Sequence, residues 1–320
     1  MEITNKRRLR MMTRTTKRWL AQALDLAVLS CVVVMPAGLL FAALQFFAGR
    51  RDWGGLGVLA ALAGALGVYA RLILPFTLRV KRLEVRSAGD ATGTPLKLVF
   101  FSDIHVGRVK KAAWVRKVVD LVNAQRPDAV LVGGDFVGHI DPRDLTQLLA
   151  PLADLRARLG VYAVLGNHDY GLPGPDCAAA LQRVFRRYNV RLLRNECVPL
   201  DGRLRLVGLD ELWDGHADIR RAFGECPDGD ETRRIVLGHN PDLMMHISQR
   251  AALFLFGHTH GGQIRLPFLT RRIVPIDGPL YRGEHHLPQG RVYITNGCGE
   301  TTTPTRLGSQ VEIVAITVYC

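Results

Sequence analysis

The sequence contains little cysteine, with six residues in 320 and no C-x-x-C pair. Such sparse cysteine excludes a disulfide-scaffolded fold, and the missing C-x-x-C spacing excludes a zinc ribbon or a thioredoxin-type site. We therefore expect the six residues to be reduced, buried thiols in a reducing compartment. The chain also lacks internal repeats and low-complexity tracts. Its 48% hydrophobic and 22% charged residues exclude a disordered chain, a collagen and a long coiled coil.

Acidic residues are too few to balance the basic ones, and the imbalance is concentrated at the N-terminal end. Of the net charge of +13, residues 1–90 supply +9, from 14 basic and 5 acidic residues, whereas residues 91–320 supply only +4. The surplus lies beside two strongly apolar segments. A basic flank next to apolar segments is typical of membrane proteins, and it makes a nucleic-acid-binding surface the lesser expectation.

Charged residues are absent from residues 26–49, a stretch of 24 positions. A helix of that length is long enough to cross a hydrocarbon core of about 30 Å. A second apolar segment, residues 53–70, follows a short polar break and continues past Arg71 to residue 78. Arg71 must lie near the membrane interface, because a charge within the hydrocarbon is costly. The second segment is rich in glycine, and small residues let two helices pack closely in lipid, so we predict a transmembrane helical hairpin.

Basic residues predict which side of the membrane the two ends of the hairpin occupy. Seven precede the first apolar segment and four follow the second, whereas the connecting loop offers only Arg50 and Arg51. The positive-inside rule then places both ends in the cytoplasm, with the hairpin in the inner membrane. A secretory signal peptide is the competing interpretation, but the first segment is longer than the usual stretch of about 7–15 apolar residues.

The chain therefore divides into a basic N-terminus with a two-helix membrane anchor (1–86), a linker (87–95) and a larger domain (96–320). The linker is small, polar and unpatterned. In the larger domain, short apolar strands alternate with helical patterns; the strands are predicted at 96–102, 129–132 and 161–165, and the helices at 112–124 and 143–158. Alternation of this kind predicts an α/β fold with buried strands.

Five apolar strands each end in a turn that carries Asp, Asn or His. These turns contain Asp103 and His105, then Asp135, then Asn167, His168 and Asp169, then His239, and last His258 and His260. Ligand sites in open α/β sheets form where the carboxyl ends of strands meet, so we expect the turns to converge. A lone histidine is most often structural, but five histidines in such turns predict a metal site.

The residue types limit the chemistry of that site. No cysteine lies in the five turns, which argues against a closed thiolate zinc site. Carboxylates, an amide and imidazoles suit Mn²⁺, Fe or Zn²⁺ in a hydrolytic centre, and we favour Mn²⁺. Seven candidate ligands are too many for one ion with an open position. They fit two ions about 3.5–4 Å apart that share a bridging carboxylate and hold phosphoryl oxygens.

The same residues form a pattern that resembles the calcineurin-like metallophosphoesterases. The blocks are D-x-H at 103–105, G-G-D at 133–135, G-N-H-D at 166–169, G-H at 238–239 and G-H-T-H at 257–260, in that family's order over about residues 96–265. The longer string G-H-T-H-G-G-Q resembles the membrane-associated bacterial branch of YaeI- and YkuE-type phosphodiesterases. The resemblance implies a four-layer αββα sandwich, preceded here by the predicted hairpin.

The resemblance also implies a role for each residue. It assigns the first ion to Asp103, His105 and His260, and the second to Asn167, His239 and His258, with Asp135 bridging. His168 is expected to donate a proton to the departing oxygen, because an imidazole is a natural acid near neutral pH. Asp169 is expected to orient the His168 ring, although an aspartate there also suits the capping of a turn.

The sequence departs from the family pattern after the last metal-binding block. Residues 297–304 read G-C-G-E-T-T-T-P, so Glu300 brings a negative charge to the expected rim of the site and leaves substrate specificity open. Arg265 and Arg306 are candidates for neutralising a phosphate, but a structural role is the more common one for a single arginine.

We expect a membrane-anchored phosphoesterase that hydrolyses a phosphodiester or pyrophosphate bond of a lipid-linked or nucleotide-linked substrate. The resemblance includes enzymes that hydrolyse UDP-2,3-diacylglucosamine in lipid A synthesis. A broad-specificity phosphomonoesterase or nucleotide phosphodiesterase is the alternative. A nuclease is disfavoured, because the larger domain carries little positive charge to bind a polyphosphate backbone. A non-catalytic binding scaffold is disfavoured because every ligand position is filled, and transport by the hairpin because its spans lack a pattern of polar residues.

Overall fold

The computed structural model describes residues 23, 26, 30, 34–87, 94–138, 141–226, 231–301 and 304–319. The chain forms two compact units. The first comprises the chain up to Thr77 together with Gln263–Pro275 and Thr302–Gln310, and the second comprises Leu78–Gly262, Ile276–Thr301 and Val311–Cys320. Every sequence-predicted metal ligand and catalytic residue belongs to the second unit.

Two apolar helices form most of the first unit. Helix α1 (Val34–Phe47) is followed by a short turn and by helix α2 (Arg51–Val68), which continues through the π-helical turn Tyr69–Ile73 and a 3-10 turn to Phe76. Within the described part of the chain, Gly55–Phe76 is the one helix that is long and apolar enough to cross a bilayer.

The two apolar helices pack with their backbones nearly in contact. A Cβ atom placed on Gly57 would clash with Ala42, and one placed on Gly64 would clash with Met35. Glycine is therefore required at both positions, as in helix pairs that associate in lipid. The pairing agrees with the predicted hairpin, while its insertion in a membrane stays a prediction, and most of residues 1–33 lie outside the described part.

The first sheet of the second unit contains six strands: β1 (Arg79–Arg86), β2 (Leu96–Phe101), β3 (Ala129–Val132), β4 (Val161–Ala163), β5 (Val190–Leu192) and β12 (Glu312–Tyr319). Their order across the sheet is β1-β12-β2-β3-β4-β5. The strands from β2 to β5 are parallel, and β12 runs antiparallel to β2.

The second sheet also contains six strands: β6 (Glu196–Leu200), β7 (Leu204–Gly208), β8 (Arg234–Leu237), β9 (Leu253–Phe256), β10 (Gly283–Leu287) and β11 (Gly290–Ile294). Their order is β10-β11-β9-β8-β7-β6, with a parallel centre and an antiparallel hairpin at each edge. Parallel sheets are buried on both faces, which explains why the central strands β8 and β9 are apolar apart from Arg234.

The two sheets face each other across an apolar core. Leu98 and Phe100 of β2 pack in that core with Ile235 and Leu237 of β8. The alternate residues of β2, such as Phe101, point to the other face of the first sheet, as the two-residue period of a strand requires.

Helices cover the outer face of each sheet. Helices α3 (Ala112–Ala124), α4 (Leu145–Leu148) and α5 (Ala178–Arg187) pack on the first sheet, and helix α6 (Ile219–Gly224) packs on the second. The layer order of helix, sheet, sheet and helix confirms the predicted α/β sandwich of this unit. The helix predicted at 143–158 is interrupted, because Pro151 lacks the N–H that a continuous helix would need.

Residues 79–86 correct the predicted domain boundary, which assigned them to the membrane anchor. They form β1, which pairs in parallel with β12 from Arg79 opposite Glu312 to Arg86 opposite Tyr319. Leu83 and Val85 of β1 are buried, whereas Glu84 between them and the basic residues Arg79, Lys81 and Arg82 before them are exposed. The two-residue alternation marks an edge strand whose charges keep other chains from pairing with it. Of the predicted linker, residues 88–93 lie outside the described part.

The cysteines correct a second expectation. Cys197 and Cys226 form a disulfide, because β6 and the end of α6 bring their Cα atoms to 5.5 Å. Their 29-residue separation in the sequence gave no sign of this pairing. Cys177 and Cys298 are buried and outside any disulfide, as expected, while Cys31 and Cys320 lie outside the described residues.

We expect Phe100→Ala to lower the free energy of unfolding by about 3–5 kcal/mol, because it opens a cavity between the sheets. Phe100 is fully buried, whereas Phe268 is 95% exposed and provides a matched control. Phe268→Ala is expected to change stability by about 0.5 kcal/mol or less. Urea denaturation of the detergent-solubilised protein measures both, and equal losses in the two variants would contradict the placement of this core.

Candidate metal centre

The predicted ligands lie in the turns that follow five parallel strands, three neighbours in the first sheet and two neighbours in the second. Asp103 follows β2, Asp135 follows β3, Asn167 follows β4, His239 follows β8 and His258 follows β9. All are 4% exposed or less. The carboxyl ends of these strands therefore converge as the sequence predicted, and the structure brings all seven candidate ligands together.

The first group of ligand atoms comes from Asp103, His105 and His260. His105 Nε2 lies 3.1 Å from His260 Nε2, and His260 Nε2 lies 3.6 Å from Asp103 Oδ1. The Asp103 carboxylate also accepts the His258 backbone N–H at 2.9 Å, which ties the turn after β2 to the turn after β9.

The second group comes from Asn167, His239 and His258, together with Asp135. His239 Nε2 lies 3.2 Å from Asn167 Oδ1, 3.1 Å from His258 Nδ1 and 3.2 Å from Asp135 Oδ2. The same Asp135 oxygen lies 3.4 Å from His105 Nε2 of the first group. One carboxylate oxygen thus contacts both groups, which is the position a bridging ligand needs.

Backbone carbonyls fix which ring nitrogen each of three histidines offers. The Nδ1 atoms of His105, His239 and His260 lie 3.2, 2.7 and 3.1 Å from the carbonyl oxygens of Val137, Gly133 and Gly299. A carbonyl oxygen only accepts, so each Nδ1 carries the hydrogen and each neutral ring presents the Nε2 lone pair. Metal-binding histidines are oriented in this way.

The lone pairs of these groups face one another. With hydrogens on both Nδ1 atoms, His105 Nε2 and His260 Nε2 have no hydrogen to share at 3.1 Å. The side-chain amide of Asn167 donates to Leu172 O, so its Oδ1 likewise presents only lone pairs to His239. Facing acceptors repel unless a proton or a metal ion lies among them, and carboxylate, amide and imidazole side chains are suitable ligands, so the two groups fit two divalent cations.

Burial and charge perturb the pKa values of the ligands strongly. Burial raises the pKa of Asp103 to about 7 and lowers that of His105 to about 3. Burial also acts to lower the pKa of His239, but the carboxylates of Asp135 and Asp103 outweigh it and raise this pKa to about 10. The site therefore attracts positive charge, and protons compete with metal for the same atoms.

The backbone at the ligands is strained. Five of the seven have left-handed φ values: Asp103 (57°), His105 (48°), Asp135 (52°), His258 (66°) and His260 (51°). Such conformations cost of order 1–3 kcal/mol each in a residue with a side chain, and they collect at functional sites. The convergence of the side chains, rather than backbone preference, explains these turns.

Two glycines allow the turns to approach so closely. A Cβ atom at Gly257 would clash with Ser102 and with the Asp103 carboxylate, and one at Gly166 would clash with Asp135. Gly166 and Gly257 directly precede the predicted ligands Asn167 and His258 in the sequence, and these close approaches explain why glycine stands there.

His168 lies beside the first group of ligands. Its backbone N–H donates to Asp135 Oδ1 at 2.9 Å, and its ring packs edge-on against the His105 ring with centroids 4.7 Å apart. At 8% exposure it is the most accessible of the predicted site residues.

Asp169 acts on the backbone. Its Oδ1 accepts the N–H groups of Phe136 and Val137 at 2.9 and 3.2 Å, and its Oδ2 accepts that of Gly166 at 2.9 Å. The carboxylate thus joins the turn after β3 to the turn after β4. This is the turn-capping role, and it corrects the expectation that the main role of Asp169 is to orient the His168 ring.

The Glu300 charge is neutralised, contrary to the expectation of a negative rim. Its carboxylate lies 3.7 Å from Lys110 Nζ, with both side chains at least 97% buried, and the ammonium also lies 3.5 Å from the centre of the Trp114 ring. Sequence reasoning missed Lys110 because a lysine two residues before a helix gives no sign of burial. The pair ties the turn after β2 to the segment that positions His260.

A second residue that sequence reasoning missed is Trp213, which packs edge-on against the ligand His258 with ring centroids 4.4 Å apart. A single aromatic residue in a loop carries no sequence signal for this contact. Arg306, a candidate phosphate ligand, is fully buried and donates to Ser309 at 3.2 Å, so its role is structural.

The amino-acid sequence matches a known protein family directly, and this match shows the family of the chain. Residues 96–262, which contain all seven ligands, match the calcineurin-like phosphoesterase family. The chain belongs to that family. It is accordingly a metal-dependent phosphoric ester hydrolase, and the resemblance stated from the sequence motifs is confirmed.

Relatives of known name extend the match beyond this domain. The chain is 29% identical to the metallophosphoesterase YkuE of Bacillus subtilis, over 86% of this chain and 96% of the relative. It is 28% identical to the phosphodiesterase YaeI of Escherichia coli, over 64% and 76%. It is 32% identical to a Bos taurus transmembrane protein with a metallophosphoesterase domain, over 69% of this chain and 52% of the relative.

We expect Asp135→Asn to abolish the binding of two ions, because it removes the charged oxygen that contacts both ligand groups. After saturation with Mn²⁺ and desalting, elemental analysis should find two ions per chain in the wild type and one or none in the variant. Asp120→Asn is the matched control, because Asp120 is 64% exposed on α3. Two retained ions in Asp135→Asn would disprove the bridging role.

Proposed function

We propose that the protein is a membrane-anchored phosphodiesterase or pyrophosphohydrolase with two divalent ions, Mn²⁺ favoured, that acts on a lipid-linked substrate such as UDP-2,3-diacylglucosamine. The observation that carries the dinuclear assignment is the Asp135 oxygen placed within 3.4 Å of a histidine from each ligand group. A pair of ions bound there supplies Lewis acidity toward phosphoryl oxygens and lowers the pKa of water.

The side chains of this protein would hold the ions, donate a proton and position the reacting groups. Asp103, His105 and His260 would hold one ion, and Asn167, His239 and His258 the other, with Asp135 shared. We assign proton donation to the departing oxygen to His168, since its ring borders the ligands and is the most solvent-accessible of the site. Asp169 positions the reacting groups by holding the two turns that carry Asp135 and His168.

The proposed substrate class rests on two observations, the activity for which one relative is named and the apolar helix of this chain. The relative YaeI is named a phosphodiesterase, which supports cleavage of a diester. The apolar helix Gly55–Phe76 and the transmembrane relative support a site tethered to a bilayer, where tethering raises the effective concentration of amphipathic substrates. A broad-specificity phosphomonoesterase or nucleotide phosphodiesterase is the second candidate, and a nucleic-acid substrate is disfavoured by the small charge of residues 91–320.

Two features bear on the side of the membrane, and they disagree. Arg79–Arg86 remains a basic flank within a few residues of the apolar helix even though it is a strand, which favours the cytoplasmic side. The Cys197–Cys226 disulfide favours an oxidising compartment. We propose the cytoplasmic face of the inner membrane, because flanking charge acts on insertion itself.

His168→Gln is expected to lower turnover of bis-p-nitrophenyl phosphate by about 10²–10⁴-fold, the usual contribution of a general acid or base. Glutamine fills similar space but donates no titrating proton. The variant should still bind two Mn²⁺ by elemental analysis, and His246→Gln, at a histidine outside the metal-site turns, should keep full activity. Unchanged turnover in His168→Gln would remove this residue from the mechanism, and wild-type turnover that needs no metal would overturn the proposed function.

The side of the membrane is tested by inserting reporters after Gly202, in the exposed turn between β6 and β7, and after the last residue of this chain. A reporter that is active in the cytoplasm is expected to be active at both positions. An alkaline phosphatase reporter, active only outside the cytoplasm, should be silent. The reverse pattern would place the catalytic unit on the non-cytoplasmic side of the membrane and would account for the Cys197–Cys226 disulfide.

A further inference from the structure

We propose that residues 265–273, hereafter the basic aromatic loop, insert Phe268 into the interfacial region of an anionic phospholipid bilayer. The loop reads R-L-P-F-L-T-R-R-I and belongs to the same compact unit as the apolar helices. The inference rests on the proposed membrane anchoring, and it adds a second, separate membrane contact to it.

Phe268 is held out in solvent by a defined turn. Its side chain is 95% exposed, the largest exposure among the large hydrophobic residues of the described part, and its φ is 63°. A left-handed φ in an aromatic residue is uncommon and indicates a conformation that its surroundings impose.

The surroundings of that turn are rigid. The Thr270 hydroxyl oxygen accepts the Leu266 N–H at 2.7 Å and lies 3.3 Å from Ile264 O, and Thr270 is only 6% exposed. The buried threonine closes the loop behind Phe268, so the exposed ring is a built feature of the loop.

The loop is attached to a neighbouring segment of the same unit. The Arg265 N–H donates to Leu307 O at 2.8 Å, and the Leu307 N–H donates to Gln263 O at 3.0 Å. Ile264 also forms a β-bridge with Leu307 and Gly308. These bonds join the basic aromatic loop to residues 304–310.

Residues 304–310 are bonded in turn to one end of the apolar helix. The Arg306 N–H donates to Ala70 O at 2.9 Å, and Arg71 Nη1 donates to Thr305 Oγ1 at 2.9 Å. In the π-helical turn, Ala70 O would need an N–H on Pro75, which proline lacks, so Arg306 supplies the missing donor.

That end of the helix marks a membrane interface. Arg71 is the only charged residue in Gly55–Phe76, and charged groups in such helices lie at the headgroup level. Tyr69, 43% exposed, lies two residues before it, as expected of the aromatic residues that line interfaces. Two short hydrogen-bonded steps therefore connect the interface end of the helix to the basic aromatic loop.

The charge of the loop selects the partner. Its nine residues contain three arginines and no acidic residue, and Arg271 and Arg272 are exposed next to Phe268. Anionic headgroups attract such clusters, and an exposed aromatic ring beside them inserts between lipids. The loop begins five residues after the ligand His260 in the sequence, so a lipid contact here would adjoin the catalytic segment along the chain.

The test uses full-length protein in which para-cyanophenylalanine replaces Phe268. The protein is reconstituted into nanodiscs of phosphatidylglycerol and phosphatidylcholine, with one chain in each disc. The nitrile stretching band moves to lower wavenumber when the group leaves water for an apolar environment. We expect the low-wavenumber band at position 268, and a water-like band with the same residue at Met245, which is 52% exposed in the other unit. A water-like band at 268 would overturn the proposal.

Further variants and lipid compositions test whether anionic lipid, and not neutral lipid or a second copy of the chain, is the partner of Phe268. The Arg271→Gln, Arg272→Gln double variant, or discs of phosphatidylcholine alone, should shift the 268 band toward its water value, and an unchanged band would reject anionic lipid as the partner. One chain per disc excludes a second copy. The nitrile requires no turnover, so an inactive protein with a lipid-buried band would reject the proposed function alone, and an active one with a water-like band would reject the loop alone.

Discussion

The whole centre depends on unshared electron pairs that face each other in a buried site. His105 and His260 present Nε2 lone pairs at 3.1 Å when their rings are neutral, because backbone carbonyls hold the hydrogens on the opposite ring nitrogens. Such an arrangement is unfavourable without positive charge. The fold that surrounds it therefore functions as a support for cations, and the Asp135 oxygen between the groups makes a pair of them the natural occupant.

The two-sheet sandwich holds the candidate ligands together, but the backbone at several of them is strained. Ligands follow parallel strands of both sheets, and five of them adopt left-handed φ values that a relaxed turn would avoid. Hydrogen bonds that link one turn to the next offset part of this strain, as when Asp103 accepts the His258 N–H and Asp169 accepts those of Phe136 and Gly166. Stability stored in the apolar core between the sheets is what permits such local strain.

The chain passes repeatedly between the two compact units. Gln263–Pro275 leaves the catalytic unit three residues after His260, and Thr302–Gln310 leaves it two residues after Glu300. The segment that carries His260 and the segment that carries Glu300 therefore each continue along the chain into the unit that contains the apolar helices.

The sequence by itself predicted the seven candidate ligands that the structure brings together, the α/β class and the apolar helices, because each depends on residue type and short-range spacing. The apolar strands that precede Asp103, Asp135 and His258 can be recognised in the amino-acid sequence. Only the tertiary structure decided that Arg79–Arg86 is an edge strand, that Lys110 neutralises Glu300, that Asp169 caps turns and that Cys197 pairs with Cys226. Those four depend on partners between 29 and 233 residues away or on the backbone of another turn, and no local pattern records which distant groups a folded chain brings together.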